Sequence, residues 1–247
     1  RAPYTCNVQY RFPALNNQKC PDAANPQFRA NLRAALEKAA PTTVDDPWCI
    51  GYFIDNEIAW PKTGGGPNAE QYFQICREEV KRVAPDMLYL GSRLADHLWP
   101  EFDRSREAIN VAAARWCDVV SFNRYRFNPG RLCLPAGFDK PIIIGEFHFG
   151  APDRGPLHHG VYGVGSQSQR AEAYQHYLHE CLDNPAIVGA HWYRYVDQCV
   201  TGRADGENYQ IGLVDICDTP YPETIAAVRQ IGYHLYQYRT TPQTAAK

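Results

Sequence analysis

Two glutamates each follow a short apolar stretch of the sequence. Glu57 ends the stretch 51–57, which reads GYFIDNE, and Glu146 lies in the stretch 142–147, which reads IIIGEF. Residues that follow parallel strands gather at one edge of the sheet, so we expect the two carboxyl groups to face each other at the mouth of a barrel. Two facing carboxyl groups are the minimum apparatus for cleaving a glycosidic bond.

Short apolar stretches alternate with longer helical ones, which indicates βα units and a parallel sheet. The predicted strands cover 49–54, 88–91, 119–122, 142–145 and 187–191, and the predicted helices cover 28–40, 69–84, 104–116, 167–183 and 221–238. The stretch 149–166 carries Gly and Pro and is predicted to be an active-site loop, since loops at the carboxyl ends of strands carry the chemistry of barrels.

The predicted fold class is α/β, and the predicted architecture is a (β/α)8 TIM barrel in one catalytic domain over residues 1–247. A closed barrel needs eight strands, so five strands would be only its C-terminal part, strands 4 to 8. By strand count alone, an open doubly wound sheet fits better. Because an incomplete barrel has open sheet edges, we expect an oligomer, association with a missing N-terminal part, or disorder near residues 1–25.

Composition excludes several classes of protein. The net charge of −2 leaves no basic surface for nucleic acid. No apolar run is long enough to span a membrane. The chain starts at Arg1 without a signal-peptide pattern, and we expect the full-length protein to be secreted or periplasmic.

Cysteine and histidine spacing does not predict a metal site or a cofactor. The nine cysteines include no CxxC pair, which argues against a zinc ribbon. Cys49, Cys117 and Cys181 lie in apolar stretches and are predicted to be core residues, whereas disulfide pairing among the other six stays open. His148 and the pair His158-His159 lack HxxxH or HxH spacing, so we expect no metal.

Polar and aromatic residues follow every predicted strand. Carboxylates supply acid–base chemistry, Asn, Arg and His bind hydroxyl groups, and Trp and Tyr faces stack on pyranose rings. The residues after the five strands are, in chain order, Asp55-Asn56-Glu57; Ser92-Arg93 with Asp96 and His97 beyond; Asn123-Arg124-Tyr125; Glu146-Phe147-His148; and His191-Trp192.

These motifs resemble those of glycoside hydrolase clan A, and most closely family 50 β-agarases. The similar segments are 46–60, which reads DPWCIGYFIDNEIAW, 90–93, which reads LGSR, and 208–221. The Asp-Asn-Glu triplet is shared with the related family 42 β-galactosidases. The resemblance runs from about Pro21 to Tyr238, and the chain departs from the family by lacking the first three strands.

The resemblance implies a role for each site residue. Glu57 would be the general acid and base, and Glu146 the nucleophile, with carboxyl groups about 5–5.5 Å apart in a retaining enzyme. Asn56 would bond the sugar 2-hydroxyl and Tyr125 would hydrogen-bond Glu146. The expected substrate-binding set is Asn56, Arg93, Asn123, Tyr125, His148, His191 and Trp192, with Trp192 as the floor under the ring.

Each of these residues also has a purely structural interpretation. A strand-end glutamate can be a solvated loop residue, Asn56 can cap a helix, Trp192 can serve only in packing, and His148 and His191 can bond each other. The expected activity is retaining hydrolysis of a galactose-containing polysaccharide such as agarose, with an oligo- or polysaccharide as partner. The alternatives are a β-galactosidase or other clan A glycosidase, and a non-catalytic carbohydrate-binding barrel remnant.

Overall fold

The computed structural model describes residues 2–15, 19–61, 65–95, 107–129, 132–155 and 157–241. The chain forms two compact units, described one at a time. The first contains Arg1–Asn123 and Cys133–Ile143, and the second contains Arg124–Leu132 and Ile144–Lys247. The expectation of a single catalytic domain stays a prediction.

The first unit is built on parallel strands. The strands are β1 (Tyr4–Val8), β2 (Cys49–Ile54), β3 (Leu88–Tyr89), β4 (Val120–Asn123) and the first residues of β5 (Ile142–Phe147). β2 pairs in parallel with β1 on one side and β3 on the other, and Leu94 forms a parallel bridge to Phe122 of β4. The carboxyl ends of β2, β3 and β4 therefore lie at one edge.

Burial explains why these strands form. Every residue of β2 except Ile50 is buried, as expected for a central parallel strand covered on both faces. Gly51 is required where β2 meets β3, since a Cβ atom there would stand 2.3 Å from the Leu88 carbonyl oxygen. The buried cluster of Phe53, Leu90, Val119 and Ile143 joins four successive strand regions into one core.

The helices of the first unit are α1 (Pro26–Ala39), α2 (Gly65–Val83) and α3 (Glu107–Trp116). The Asn25 side chain caps α1 by accepting a hydrogen bond from the Gln27 backbone amide. Phe28, Leu32 and Leu36 form the buried stripe of α1 at a spacing of four residues.

The second unit contains the end of β5, β6 (Ile187–Trp192) and the helices α4 (Gln167–Asp183) and α5 (Pro222–Thr240). Tyr193 donates its backbone amide to the Phe147 carbonyl, so the chain after β6 runs beside the end of β5. Ser166 caps α4 by accepting from the Gln169 amide. The Ser-x-x-Gln start of α4 thus fixes where the 149–166 loop ends.

Five of the strands were predicted from sequence, and the count of five was wrong because β1 precedes them. The stretch 4–8 reads YTCNV, and Val8 is its only fully buried residue. Among the described residues, β1 is the edge strand of its sheet and pairs only with β2. Because most of its residues are not fully buried, the sequence shows no apolar run there. The predicted disorder near residues 1–25 does not apply to Tyr4–Val8, and Ala14 and Pro21 form an antiparallel bridge.

One buried carboxylate ties α1 to α2. Glu79 of α2 is 1% exposed and accepts hydrogen bonds from Arg29 (2.9 Å), Arg33 (2.8 and 2.9 Å) and Arg82 (2.9 Å). These bonds, the one from Arg33 above all, lower the pKa of Glu79 to about 2 despite its burial. Glu79 is therefore ionised in the folded protein at neutral pH.

We expect Glu79→Gln to destabilise the fold by about 1–3 kcal/mol at pH 7, because three guanidinium groups lose their shared anion. The estimate is below that for a fully buried pair, since the arginines are about 40% exposed. Because the folded-state pKa is lowered, this stabilisation is present above the ordinary pKa of 4.5 and is lost as the pH falls towards 2. Urea unfolding at pH 7 measures the effect.

Glu78→Gln is the matched control. Glu78 is one residue away, is exposed and forms an ion pair with Arg29, so its loss should change the unfolding free energy by less than about 0.5 kcal/mol. Equal effects of the two variants would contradict the role given to Glu79.

Candidate active site

In the first unit, the backbone turns sharply as it leaves β2 and β3. Asp55, Glu57 and Arg93 have φ angles of 60°, 49° and 47°, in the left-handed region that residues other than glycine rarely adopt. The turn is held by hydrogen bonds from the Glu57 amide to the Ser92 carbonyl (3.2 Å) and from the Arg93 amide to Ser121 Oγ (3.0 Å). Non-glycine residues in this conformation cluster at functional sites.

Asn123 brings three predicted site residues together. Its Nδ2 donates to Glu57 Oε1 at 2.8 Å and to Asn56 Oδ1 at 3.1 Å. Asn123 is fully buried, while Asn56 and Glu57 are partly exposed. The end of β4 therefore fixes the orientation of both side chains that follow β2.

Arg93 lies in the same unit. Its guanidinium carbon stands 5.6 Å from the centre of the Phe53 ring, within the range of a cation–π contact. The side chain is partly exposed. Asp96 and His97, the further polar residues after β3, lie outside the described residues.

Asp55 is buried beside these residues and is held by two phenols. It is 8% exposed, and its Oδ2 accepts from Tyr10 and Tyr72, each at 2.9 Å. Burial raises the pKa of Asp55 to about 6, and the bonds from Tyr72 and Tyr10 offset only part of that increase. The sequence gave no sign of Tyr10 and Tyr72, which are distant from Asp55 in the chain.

We expect Asp55 to make the fold less stable as the pH rises from about 4 to about 6. Its folded-state pKa is above the ordinary 3.8, so the folded chain holds the proton more tightly, and that contribution is lost as the pH rises through 6. The loss amounts to at most about 3 kcal/mol. Asp55→Asn should remove this pH dependence, as measured by urea unfolding at pH 4, 5, 6 and 7.

Other carboxylates titrate over the same range, so the prediction concerns the difference between parent and variant. Asp86→Asn is the control, because Asp86 is exposed after α2. If the parent and Asp55→Asn proteins lose stability in parallel between pH 4 and 6, the burial argument for Asp55 is wrong.

In the second unit, Glu146 lies near the end of β5 and is 9% exposed. Tyr125 donates its hydroxyl to Glu146 Oε2 at 2.6 Å, which is the hydrogen bond expected from the sequence. The Arg124 amide donates to the Glu146 carbonyl at 2.8 Å. The backbone bond thus fixes the register that lets Tyr125 reach the carboxylate.

His148 lies two residues beyond Glu146 and is 1% exposed. Its Nε2 accepts from the Val161 backbone amide at 3.0 Å, and its ring centre is 4.8 Å from that of Tyr125. Burial lowers the pKa of His148 to about 3, although the Tyr193 backbone acts in the opposite direction. The imidazole is therefore neutral near pH 7.

Trp192 ends β6 and is partly exposed. Its Nε1 donates to the Ile211 carbonyl at 2.9 Å, and its ring meets Phe147 edge-on at 5.2 Å between centres. The guanidinium carbon of Arg170 is 5.5 Å from the Trp192 ring centre and 5.1 Å from that of Tyr221. Neighbouring His191 is also partly exposed.

Sequence reasoning missed Arg170. It is fully buried on α4, and it donates to Gln167 Oε1 at 3.0 Å and to the Gly212 carbonyl. Burial lowers the pKa of Arg170 to about 10, so it stays charged near pH 7. A lone arginine within a helix gave no signal of this contact with Trp192.

Within the described ranges, no group of three or more His, Cys, Asp or Glu side chains could hold a metal ion. All nine cysteines lie in those ranges and are free thiols. Cys49, Cys117 and Cys181 are buried, as predicted. No helix in the described part of the chain is long and apolar enough to cross a bilayer.

No protein-family model matches the chain. It is similar to two curated proteins of Vibrio sp. (strain JT0107). Beta-agarase B is 32% identical over 300 aligned positions, which cover 88% of this chain and 31% of the relative. Beta-agarase A is 39% identical over 176 positions, which cover 68% of this chain and 17% of the relative.

The crystal structure of an agarase, AgWH50C, is similar in fold, with a TM-score of 0.84 and 31% identity. The match covers 97% of this chain and 45% of that structure. The chain thus spans less than half of the length of each of these relatives. Over most of its own length, the chain is similar to β-agarases, and its α/β fold is similar to that of a solved agarase.

Proposed function

We propose that this chain carries the catalytic residues of a retaining β-glycosidase that hydrolyses galactose-containing polysaccharide, agarose being the favoured substrate. The observation that carries the proposal is the way each glutamate is held. Asn123 orients Glu57 together with Asn56, and Tyr125 holds Glu146. The similarity to β-agarases supports the choice of substrate.

The proposed fold is a partial (β/α)8 barrel of clan A, family 50, with family 42 as a related group. The strand ahead of the five that the sequence indicated adds one more βα unit to that part of the barrel. We further propose a full-length protein that is secreted or periplasmic, since a polysaccharide is too large to be taken up intact. Association with further protein sequence, or with another copy, belongs to the same proposal.

In the proposed first step, Glu146 attacks the anomeric carbon while Glu57 gives its proton to the leaving oxygen. In the second step, Glu57 takes a proton from water, and that water releases the sugar from Glu146. The carboxyl separation of about 5–5.5 Å that this double displacement needs stays a prediction. Tyr125 stabilises the charge on Glu146 before attack and when it departs.

The remaining residues bind the sugar in this proposal. Asn56 bonds the 2-hydroxyl next to the cleaved bond, and Trp192 forms the floor under that ring. Arg93 and His191 bind other hydroxyl groups, whereas Asn123, expected from sequence to bind the sugar, is fully buried and orients Asn56 and Glu57 instead. Arg170 stabilises the Trp192 ring by its cation–π contact.

We expect Glu57→Ala to impair hydrolysis of the natural saccharide by about 10²–10⁴-fold or more, because a poor leaving group needs its proton. An activated aryl glycoside leaves unaided, so the first step with that substrate should be spared. Azide should then restore turnover and give a β-glycosyl azide. Steady-state rates on both substrates and product analysis by NMR check this expectation.

Glu146→Ala is the matched variant. It removes the nucleophile, so both substrates should fail, and azide should give the inverted α-glycosyl azide. Equal behaviour of the two variants on both substrates, or exchanged azide products, would show that the roles are wrongly assigned.

A non-catalytic carbohydrate-binding protein is the rival proposal. Folded wild-type protein that binds an agarose-derived oligosaccharide but turns over neither that saccharide nor an aryl β-galactoside would support it. Turnover of the aryl β-galactoside alone would favour a β-galactosidase.

A further inference from the structure

We propose that His148 is a positioning residue, which fixes the loop residues 157–164 against Tyr125 and so holds the partner of Glu146 in place. A histidine near the nucleophile was expected from sequence to bind a sugar hydroxyl. This inference rests on the proposed role of Glu146, and it assigns His148 an indirect part in that role.

The imidazole of His148 is buried within the second unit. His148 is 1% exposed and its Nδ1 is buried, so a saccharide arriving from solvent has no atom of the ring to contact. Its Nε2 lone pair accepts the Val161 amide hydrogen at 3.0 Å. The nitrogen that could serve a sugar hydroxyl is already used by the loop.

The loop backbone approaches this nitrogen very closely. Gly160 has φ of +77°, and a Cβ atom there would stand 2.6 Å from His148 Nε2. Only a glycine lets the chain pass over the ring in this conformation. The close contact between Gly160 and His148 therefore sets the distance between the loop backbone and the residues that follow Glu146.

The base of the loop is closed independently. The Gly150 amide donates to the Tyr162 carbonyl at 3.0 Å, and the Val164 amide donates to the Gly150 carbonyl at 2.9 Å. These bonds join residues 162–164 to Gly150, which follows β5. The bond from Val161 to His148 instead ties the loop to the side chain next to Tyr125.

Two ring contacts connect the loop to the residues that follow β4, so the position of the loop affects theirs. Tyr125 packs on His148 at 4.8 Å between ring centres. Tyr162 of the loop packs edge-on against Phe127 at 5.1 Å. Since Tyr125 donates to Glu146 at 2.6 Å, a loop that shifts changes the geometry of this hydrogen bond.

The test compares two substitutions of His148. In His148→Gln, the amide oxygen can reach the Nε2 position and accept from Val161. In His148→Leu, the acceptor is lost while the bulk is kept. His158→Leu is the control, because His158 is an exposed imidazole of the same loop whose Nδ1 accepts from the Gly160 amide, two residues away.

Hydrogen exchange of the Val161 amide gives a readout independent of turnover. We expect His148→Leu to reduce its protection by about tenfold, the worth of one hydrogen bond. His148→Gln and His158→Leu should stay within about threefold of wild type. Unchanged Val161 protection in His148→Leu overturns the proposal, whether or not the protein is an enzyme.

Kinetics and binding separate positioning from sugar contact. We expect His148→Leu to lower kcat by about 10–100-fold, as misplacement of a catalytic group does, with KM within about threefold. The Kd of an agarose-derived tetrasaccharide, measured in the Glu146→Gln background, should change by no more than threefold. A Kd that rises tenfold or more would show that His148 contacts the sugar and would overturn the proposal.

Gly160→Ala covers the case in which His148→Leu does not fold. It leaves the imidazole intact but forces it away from the loop, so the same loss of kcat is expected. Wild-type kcat in Gly160→Ala would overturn the proposal. If the wild-type protein has no glycosidase activity, the proposed function fails, and the exchange of Val161 still decides the loop contact.

Discussion

Left-handed backbone at non-glycine residues is the constraint on which the candidate site of the first unit depends. Asp55, Glu57 and Arg93 each adopt it, at a cost of about 1–3 kcal/mol apiece. The neighbouring strand ends offset this cost, because they accept the backbone amides of Glu57 and Arg93. A side chain on such a turn no longer follows the pattern of the strand, in which successive side chains point to opposite faces of the sheet.

The same constraint explains why Asn123 can serve two residues at once. The left-handed turn at Glu57 brings its carboxylate back towards β4, where Asn123 donates to it and to Asn56. Had the chain left β2 in an extended conformation, consecutive side chains would have pointed to opposite faces. Consecutive residues can thus share one donor only because the turn breaks the period of two.

The secondary structure was largely readable from the sequence because burial leaves a pattern. The central strand β2 and the helix α4 were predicted at the bounds 49–54 and 167–183 that the structure has. β1 was not, because Val8 is the only fully buried residue among its five and the strand therefore shows no apolar run. The strand ends, and with them Glu57 and Glu146, followed directly from the strand assignments.

Contacts between distant residues could not be read in this way. Nothing in the sequence links Tyr10 and Tyr72 to Asp55, or Arg170 to Trp192, since each pair is joined only by the fold. For His148 the residue type suggested a sugar ligand. Its burial and its bond to Val161 give it different chemistry, and burial depends on a loop whose path the sequence does not specify.

Three kinds of donor give the carboxylates of this chain different chemistry. Three arginines hold Glu79, and their charge favours the ionised form, so its pKa falls to about 2. Two phenols hold Asp55, and these neutral donors do not offset its burial, so its pKa rises to about 6. A guanidinium partner would therefore oppose a carboxyl group that must gain a proton in each catalytic cycle.

Glu57 accepts from the amide of Asn123, a neutral donor that places no positive charge beside the carboxylate. Glu146 accepts from the hydroxyl of Tyr125 at 2.6 Å, which is likewise a neutral donor. In the proposed mechanism, these two donors position Glu57 for proton transfer and Glu146 for nucleophilic attack.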